Sequence, residues 1–172
     1  FRLILGRGGL LNSILAASLG IEPLRWLEVA DLALPSLILL AAWRWMGINV
    51  MYFNSGLVNI SRELYEAAAI DGASPFQSFW RITLPLLRPT TLFVVVLSLI
   101  GGYQVFVEPF TLFTNGDSPG DSALTIALHI YRTAFRSFQF GQAAAMGVLL
   151  ALIILVLSLI QFRFFGVFEK EA

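Results

Sequence analysis

Polar and small residues interrupt the long apolar stretches of this chain. Seven positions stand out: Arg44, Asn49, Tyr52, Ser98, Gly102, Tyr103 and Gln104. Amide, hydroxyl and aromatic groups supply hydrogen bonds and flat apolar faces, and polar groups at bilayer depth mark solute paths. We therefore take these residues as candidates for a solute path. Hydrogen bonding between helices is an equally open interpretation for each of them.

Depth along the apolar stretches suggests which of these residues share a layer. Counting helical rise inward from Pro35 and Glu108 places Arg44 about 13 Å and Ser98 about 15 Å deep. Glu108 would then lie near the surface, and we do not expect it to pair directly with Arg44. Snorkelling, or pairing with a helix outside this chain, is the alternative for Arg44.

Several other chemistries are excluded or weakened by composition. The chain has no Cys and a single His, His129, which removes thiolate metal sites and the usual zinc and Ser-His arrangements. Eleven basic residues balance eleven acidic ones, so there is no basic nucleic-acid footprint. No Gly-x-x-x-x-Gly-Lys-Ser/Thr loop occurs, so the sequence contains no phosphate-binding loop of that type. We expect His129 to be a surface or packing residue.

The elements that position these residues are membrane helices. Of 172 residues, 58% are hydrophobic and 13% are charged, about half the charged share of a soluble domain. Runs over 35–58, 89–107 and 141–162 approach or exceed the about 20 residues that cross a bilayer. Leucines between Leu10 and Leu19 predict a short amphipathic helix along the membrane interface. Equal numbers of Lys and Arg on the two sides leave the orientation undecided.

The segment between the first two spans predicts two short helices and a bend. Ser61 is a candidate N-cap, and Gly72 suits a left-handed C-terminal cap. Ser74 and Pro75 restart a helix that we expect to end at Pro85. The apolar and aromatic residues of this loop indicate either a docking helix for a soluble partner or packing against the chain's own membrane helices.

The same loop carries a known motif. Glu66-Ala67-Ala68, three residues, Gly72, nine residues and then Ile82-x-Leu84-Pro85 resemble the EAA loop of binding-protein-dependent ABC importer permeases. The string ELYEAAAIDGA is similar to the carbohydrate branch of that family. The stretch from FVEPF to AAAMG resembles the part of that branch before its last membrane helix, although 115–119 depart from the usual Thr-Gly-Gly-Pro.

The resemblance implies an all-α, multi-pass transmembrane helical bundle. It also implies that the three spans are the C-terminal half of a core of about six helices, in keeping with a chain that opens on Phe1. The implied order is an external interfacial segment (1–31), a span (32–58), a cytoplasmic EAA loop (59–88), a span (89–108), an external loop with a helix (109–140), a span (141–165) and a cytoplasmic tail (166–172). The implied ATPase-coupling residues are Glu66, Ala67, Ala68, Asp71, Gly72, Ile82, Leu84 and Pro85.

The resemblance further implies a permease subunit, without enzymatic activity of its own, in an ATP-driven importer of sugars or solutes such as glycerol-3-phosphate. Its partners would be a second permease subunit, two ATPase subunits that bind the ATP, and an external solute-binding protein. The location would be the inner membrane of a bacterial or archaeal cell, and no cofactor is expected in this chain. Half of a secondary transporter and a membrane-embedded hydrolase are the alternatives. The absence of acids in 35–58 and 141–162 disfavours the first, and the lone His disfavours the second.

Overall fold

The computed structural model describes residues 1–164, and every regular element in this range is helical. The helices are α1 (Arg2–Leu5), α2 (Leu10–Leu19), α3 (Ala30–Val58), α4 (Arg62–Ile70), α5 (Pro75–Leu86), α6 (Arg88–Tyr103), α7 (Val107–Leu112), α8 (Ile126–Tyr131) and α9 (Phe140–Phe164). The predicted all-α, multi-pass class is confirmed. The last residue of the third predicted span and the predicted tail (166–172) lie outside the described residues.

Among residues 1–164, two helices are long and apolar enough to cross a membrane by themselves. Helix α3 has 29 residues and α9 has 25, or about 44 and 38 Å at helical rise. They coincide with the first and third predicted spans. The start of α3 differs from the expectation, because it begins at Ala30 and Pro35 lies inside the helix rather than in its first turn. The added turn contains Ala33, which is fully buried in the core of the first unit.

The second predicted span (89–108) is not one continuous helix in the structure. Helix α6 has only 16 residues and ends at Tyr103. It reaches membrane-spanning length only together with α5, from which it is bent by 61°. The adjacent Gly101 and Gly102 weaken the helix end. The Val105 carbonyl, just beyond, accepts a hydrogen bond from Thr125 Oγ1 at 2.6 Å, outside any helical ladder.

Helix α5 also continues past the proline that was expected to stop it. The chain forms a π-helical turn over Phe79–Thr83, in which the Leu84 N–H donates to the carbonyl of Phe79 five residues earlier. A proline has no N–H and its ring crowds the carbonyl four residues back. The wider π turn just before Pro85 accommodates that ring, and the helix ends instead at Leu86.

The residues form two compact units, the first of which comprises Phe1–Arg44 and Gly101–Ile153. Its apolar core consists of Leu5, Ala33, Leu37, Leu112, Phe113 and Ala123. Beside this core, the buried Asn12 side chain donates to the carbonyls of Gly6, Arg7 and Leu24 and accepts from the Leu24 N–H and Trp26 Nε1, at 2.9 to 3.1 Å. One side chain thereby fixes the N-terminal segment around α2.

The second unit comprises Trp45–Ile100 together with the described residues from Ile154 onward. Within it, α3 and α6 approach closely at Gly56, where a Cβ would lie 2.5 Å from Thr90 Oγ1. Tyr52 of α3 packs edge-on against Phe93 of α6, with ring centroids 5.2 Å apart. The same unit contains the EAA-like loop.

Candidate functional site

Helix α4 carries the Glu-Ala-Ala motif on an exposed, well-capped element. Ser61 is its N-cap as predicted, and its Oγ accepts from the Glu63 N–H at 3.3 Å. Glu66 pairs with Arg62 one turn earlier, with Nε and Oε1 3.0 Å apart. No residue of α4 is buried within the described structure. A capped helix whose surface is mostly exposed is available to a partner.

Helix α4 ends in a Schellman motif whose left-handed residue is Gly72. The Gly72 N–H donates to the Ala69 carbonyl and the Ala73 N–H to the Ala68 carbonyl, at 3.1 and 2.9 Å. Gly72 has φ +78°, and nothing lies within 4 Å of where its Cβ would be. The predicted cap is confirmed, and the glycine is needed there for its backbone conformation rather than for space.

Helix α5 restarts immediately through a capping box. Ser74 Oγ accepts from the Gln77 N–H, Gln77 Oε1 accepts from the Ser74 N–H, and Pro75 occupies the first turn. The two helices are then tied by a bond of 2.8 Å between the Tyr65 hydroxyl and Thr83 Oγ1, which lies in a buried residue. We call residues 61–86 the elbow.

A cleft runs along the inside of the elbow and gathers half of the predicted coupling residues. It measures about 400 Å³ and is lined by Ala68, Asp71, Gly72, Ala73, Gln77, Ser78, Arg81 and Ile82. The remaining predicted coupling residues, Glu66, Ala67, Leu84 and Pro85, are exposed outside it. The cleft combines an acidic group, a basic group and small residues, which suits the insertion of another protein's side chains.

Aromatic side chains give the elbow a second exposed surface. Trp80 packs against Phe76 and Phe79, with ring centroids 6.1 and 5.7 Å apart. Phe76 is 72% exposed and Ile70 is 88% exposed. Apolar groups this exposed at the end of a short helix are typical of an interaction surface.

The candidate solute-path residues divide between the two units. In the first unit Arg44 forms an ion pair with Glu108, which is buried. The expectation that these two would not pair is therefore wrong. It assumed one straight helix through Glu108, whereas α6 stops at Tyr103 and Glu108 belongs to the separate helix α7.

Of the other candidates, Asn49 lines a groove of about 450 Å³ along α3, shared with Met46, Val50, Phe53, Asn54 and Leu57. Tyr52 packs on Phe93 as described. Ser98 is exposed on α6, and Gly102 and Tyr103 are the last two residues of that helix. Gln104 follows it, and its N–H donates to the Gly101 carbonyl. Within the second unit, Asn49 and Tyr52 lie on one helix, but only Asn49 lines the groove.

A cluster of charged residues in 115–136 was not predicted from the sequence. Asp117 accepts from Arg132 and Arg136 at 2.8 and 2.7 Å, and Asp121 accepts from Arg132 at 2.6 Å. The hydrogen bond from Arg136, with the charges of Arg136 and Arg132, holds the pKa of Asp117 below its usual value despite some desolvation. The four-residue spacing of Arg132 and Arg136 in a helical segment could have indicated that the two side chains lie on one face and share an acidic partner. The cluster fixes the stretch that departs from Thr-Gly-Gly-Pro, where Asn115 has φ +55°.

No group of three or more His, Cys, Asp or Glu side chains that could hold a metal occurs among residues 1–164. The geometry of the described residues is therefore that of a capped, exposed elbow joined to long apolar helices that carry isolated polar groups.

Comparisons with known proteins agree with this geometry. Residues 10–171 match the family model described as binding-protein-dependent transport system inner membrane component. The chain is 44% identical to the arabinooligosaccharides transport system permease protein AraP of Bacillus subtilis (strain 168), over 99% of this chain and 55% of that protein. It is 37% identical to the lactose transport system permease protein LacF of Rhizobium radiobacter, over 88% of this chain and 51% of that protein.

Solved structures show the same fold. The chain superposes with a TM-score of 0.83 on the crystal structure of a bacterial ABC transporter involved in the import of the acidic polysaccharide alginate. That match has 26% sequence identity and covers 98% of this chain and 59% of that one. The chain thus spans about half the length of the curated relatives that it matches. It belongs to the family of binding-protein-dependent transport system inner membrane components.

Proposed function

We propose that this chain is the C-terminal half of a permease subunit in an ATP-driven importer of carbohydrates or related polyhydroxyl solutes. The observation that carries the proposal is the elbow, because a capped helix, a bend fixed by Gly72 and a second capped helix form a rigid exposed lever. Family membership and the names of the relatives, which include an sn-glycerol-3-phosphate permease of Yersinia enterocolitica, support the same conclusion.

The elbow would face the cytoplasm and dock in an ATPase subunit, with ATP bound by that partner. Its cleft offers Asp71 and Arg81 for charge pairing, and the exposed Ala67 permits close helix approach. Motion of the ATPase subunits would pass through the bond between Tyr65 and Thr83 into α5 and then α6. A short helix with few contacts to its own chain moves as one piece when a partner grips it.

The long helices α3 and α9 would span the inner membrane of a bacterial or archaeal cell. Polar groups on α3 and at the end of α6 would line the solute path. A second permease subunit would complete that path, two ATPase subunits would drive it, and an external solute-binding protein would deliver the solute. A match to an alginate transporter in complex with its solute-loaded periplasmic protein, with TM-score 0.83, supports the last of these partners.

Cysteine crosslinking in the assembled full-length transporter tests the docking. This chain has no cysteine of its own, so Ala67→Cys introduces one reporter on the exposed face of α4. We expect an oxidant or a short bifunctional reagent to join it to an ATPase subunit, with a yield that changes on ATP binding. Ser13→Cys on the exposed surface of α2 is the matched control and should give no such product. Labelling of Ala67→Cys without any ATPase crosslink would refute the proposal.

A further inference from the structure

The ion pair between Arg44 and Glu108 occupies an unusual position. Arg44 lies midway along α3, fourteen residues from Ala30 and fourteen from Val58. A charged side chain at the centre of a membrane-spanning helix is costly, and it almost always faces the bundle interior or a water-filled cavity. Its location therefore indicates a functional group in the middle of the membrane.

Glu108 is buried on a short helix that is anchored to its neighbour. The residue is 4% exposed and lies in the first turn of α7. On the same short segment Phe106 stacks on Phe110 at 5.3 Å and contacts Tyr131 at 5.0 Å, which anchors α7 to α8. A buried carboxylate without a counter-charge would be strongly destabilising, and Arg44 supplies that charge.

The two partners differ sharply in accessibility. The Glu108 side chain is 5% exposed, whereas the Arg44 side chain is 55% exposed within the described structure. The Glu108 carboxylate thus contacts Arg44 from the buried side of the pair, and more than half of the Arg44 side-chain surface is exposed in the described structure. A guanidinium offers planar donors that suit hydroxyl and carboxylate oxygens.

We infer that Arg44 contacts the solute while Glu108 cancels its charge, so that the pair favours uncharged polyhydroxyl solutes over anionic ones. This inference rests on the proposed function. The opposite charges of the Glu108 carboxylate and the Arg44 guanidinium cancel, so the pair offers the N–H donors of Arg44 to a solute without a net charge. Removing that carboxylate raises the net charge beside the path by one unit in a low-dielectric region, and this added positive charge attracts carboxylated sugars. Glu108 is then a specificity-determining residue that need not touch the solute.

Direct binding to the purified full-length transporter in lipid nanodiscs tests this inference, without ATP and without the solute-binding protein. The probes are a neutral trisaccharide, galactotriose, and its carboxylated counterpart, trigalacturonate, titrated by calorimetry. Wild type should bind the neutral probe more tightly. Glu108→Gln should shift the ratio of the two Kd values toward the acidic probe by about tenfold or more. Glu28→Gln is the matched control, because Glu28 pairs with Arg7 on the surface, and it should leave the ratio unchanged.

A double variant separates solute contact from a purely structural ion pair. Arg44→Gln alone would leave the buried carboxylate unpaired and could prevent folding, so Arg44→Gln/Glu108→Gln removes both charges. We expect this variant to assemble and to bind the neutral probe at least tenfold more weakly. The inference would be overturned if the double variant bound both probes with wild-type affinity. It would also be overturned if Glu108→Gln left the ratio of the two Kd values unchanged, or if the wild-type transporter did not bind the neutral probe. Failure of the proposed function would appear instead as no ATPase crosslink from the elbow, since the binding assay needs no ATPase activity.

Discussion

At the scale of single residues, Gly72 sets the geometry of the elbow through its backbone conformation. Its left-handed φ ends α4 and sets the direction in which α5 departs. Because the space around it is open, any side chain would fit, and the cost of a substitution is conformational, about 1–2 kcal/mol.

We therefore expect Gly72→Leu in the full-length subunit to insert and assemble normally while uncoupling ATP hydrolysis from solute uptake. Uptake and ATPase activity would be measured together in proteoliposomes. Gly20→Leu is a matched control, since Gly20 also caps a helix with φ +64° and open space around it, but lies on α2. Equal uptake by Gly72→Leu and wild type would contradict a coupling role for the elbow.

Asn12 is the residue on which the N-terminal segment depends most. Its five hydrogen bonds use both side-chain atoms, and it is 2% exposed. Asn12→Ala would leave two carbonyl groups of the first loop and the Trp26 indole N–H without this partner, in addition to both backbone groups of Leu24.

We predict that Asn12→Ala lowers the free energy of unfolding by about 3 kcal/mol or more, because each unsatisfied buried group costs about 1–3 kcal/mol. Thermal unfolding of the full-length subunit in detergent measures the effect through its melting temperature. Ser13→Ala, an exposed neighbour whose hydroxyl bonds only to the Leu10 carbonyl, should change little. Similar melting temperatures for the two variants would show that the hydrogen bonds of Asn12 do not stabilise the segment.

At the scale of elements, the elbow depends on one tertiary hydrogen bond between its two helices. The Tyr65 hydroxyl and Thr83 Oγ1 lie eighteen residues apart in sequence and 2.8 Å apart in space. Thr83 closes the π turn that lets α5 pass Pro85. A looser joint at this point would let α4 move without carrying α5.

Tyr65→Phe should accordingly reduce the solute imported per ATP hydrolysed several-fold, with assembly intact and a stability loss of about 1 kcal/mol. A double-mutant cycle with Thr83→Val checks the mechanism: the double variant should be no worse than Tyr65→Phe, because both partners of the bond are then absent. Additive losses would mean that the two residues act independently.

The break between α6 and α7 is the other decisive feature at this scale. One continuous helix over 89–108 would carry Glu108 to the outer end of the span. Ending α6 at Tyr103 instead places Glu108 on a separate helix, where it reaches Arg44. A change of helix boundary by a few residues thus alters which charges meet.

At the scale of the whole molecule, the described part of the chain contains two membrane-length helices and one bent pair, and the chain covers about half the length of the relatives that it matches. Three spans are too few to enclose a gated path. Reconstituted alone in liposomes, residues 1–172 should insert but should not transport galactotriose, whereas the full assembly in parallel vesicles should transport its own solute with ATP. Flux through the isolated chain, measured with a radiolabelled sugar, would contradict this prediction.

The sequence by itself determined the helical class, the two uninterrupted spans, the caps at Ser61 and Gly72 and the family motif. These follow from local propensity, hydrophobic length and residue spacing, which act over a few helical turns. Tertiary structure alone decided the pairing of Glu108 with Arg44, the cluster around Asp117 and the passage of α5 through Pro85. Those contacts join residues from 11 to 64 positions apart or depend on how a helix bends, and such energies arise only when distant segments pack.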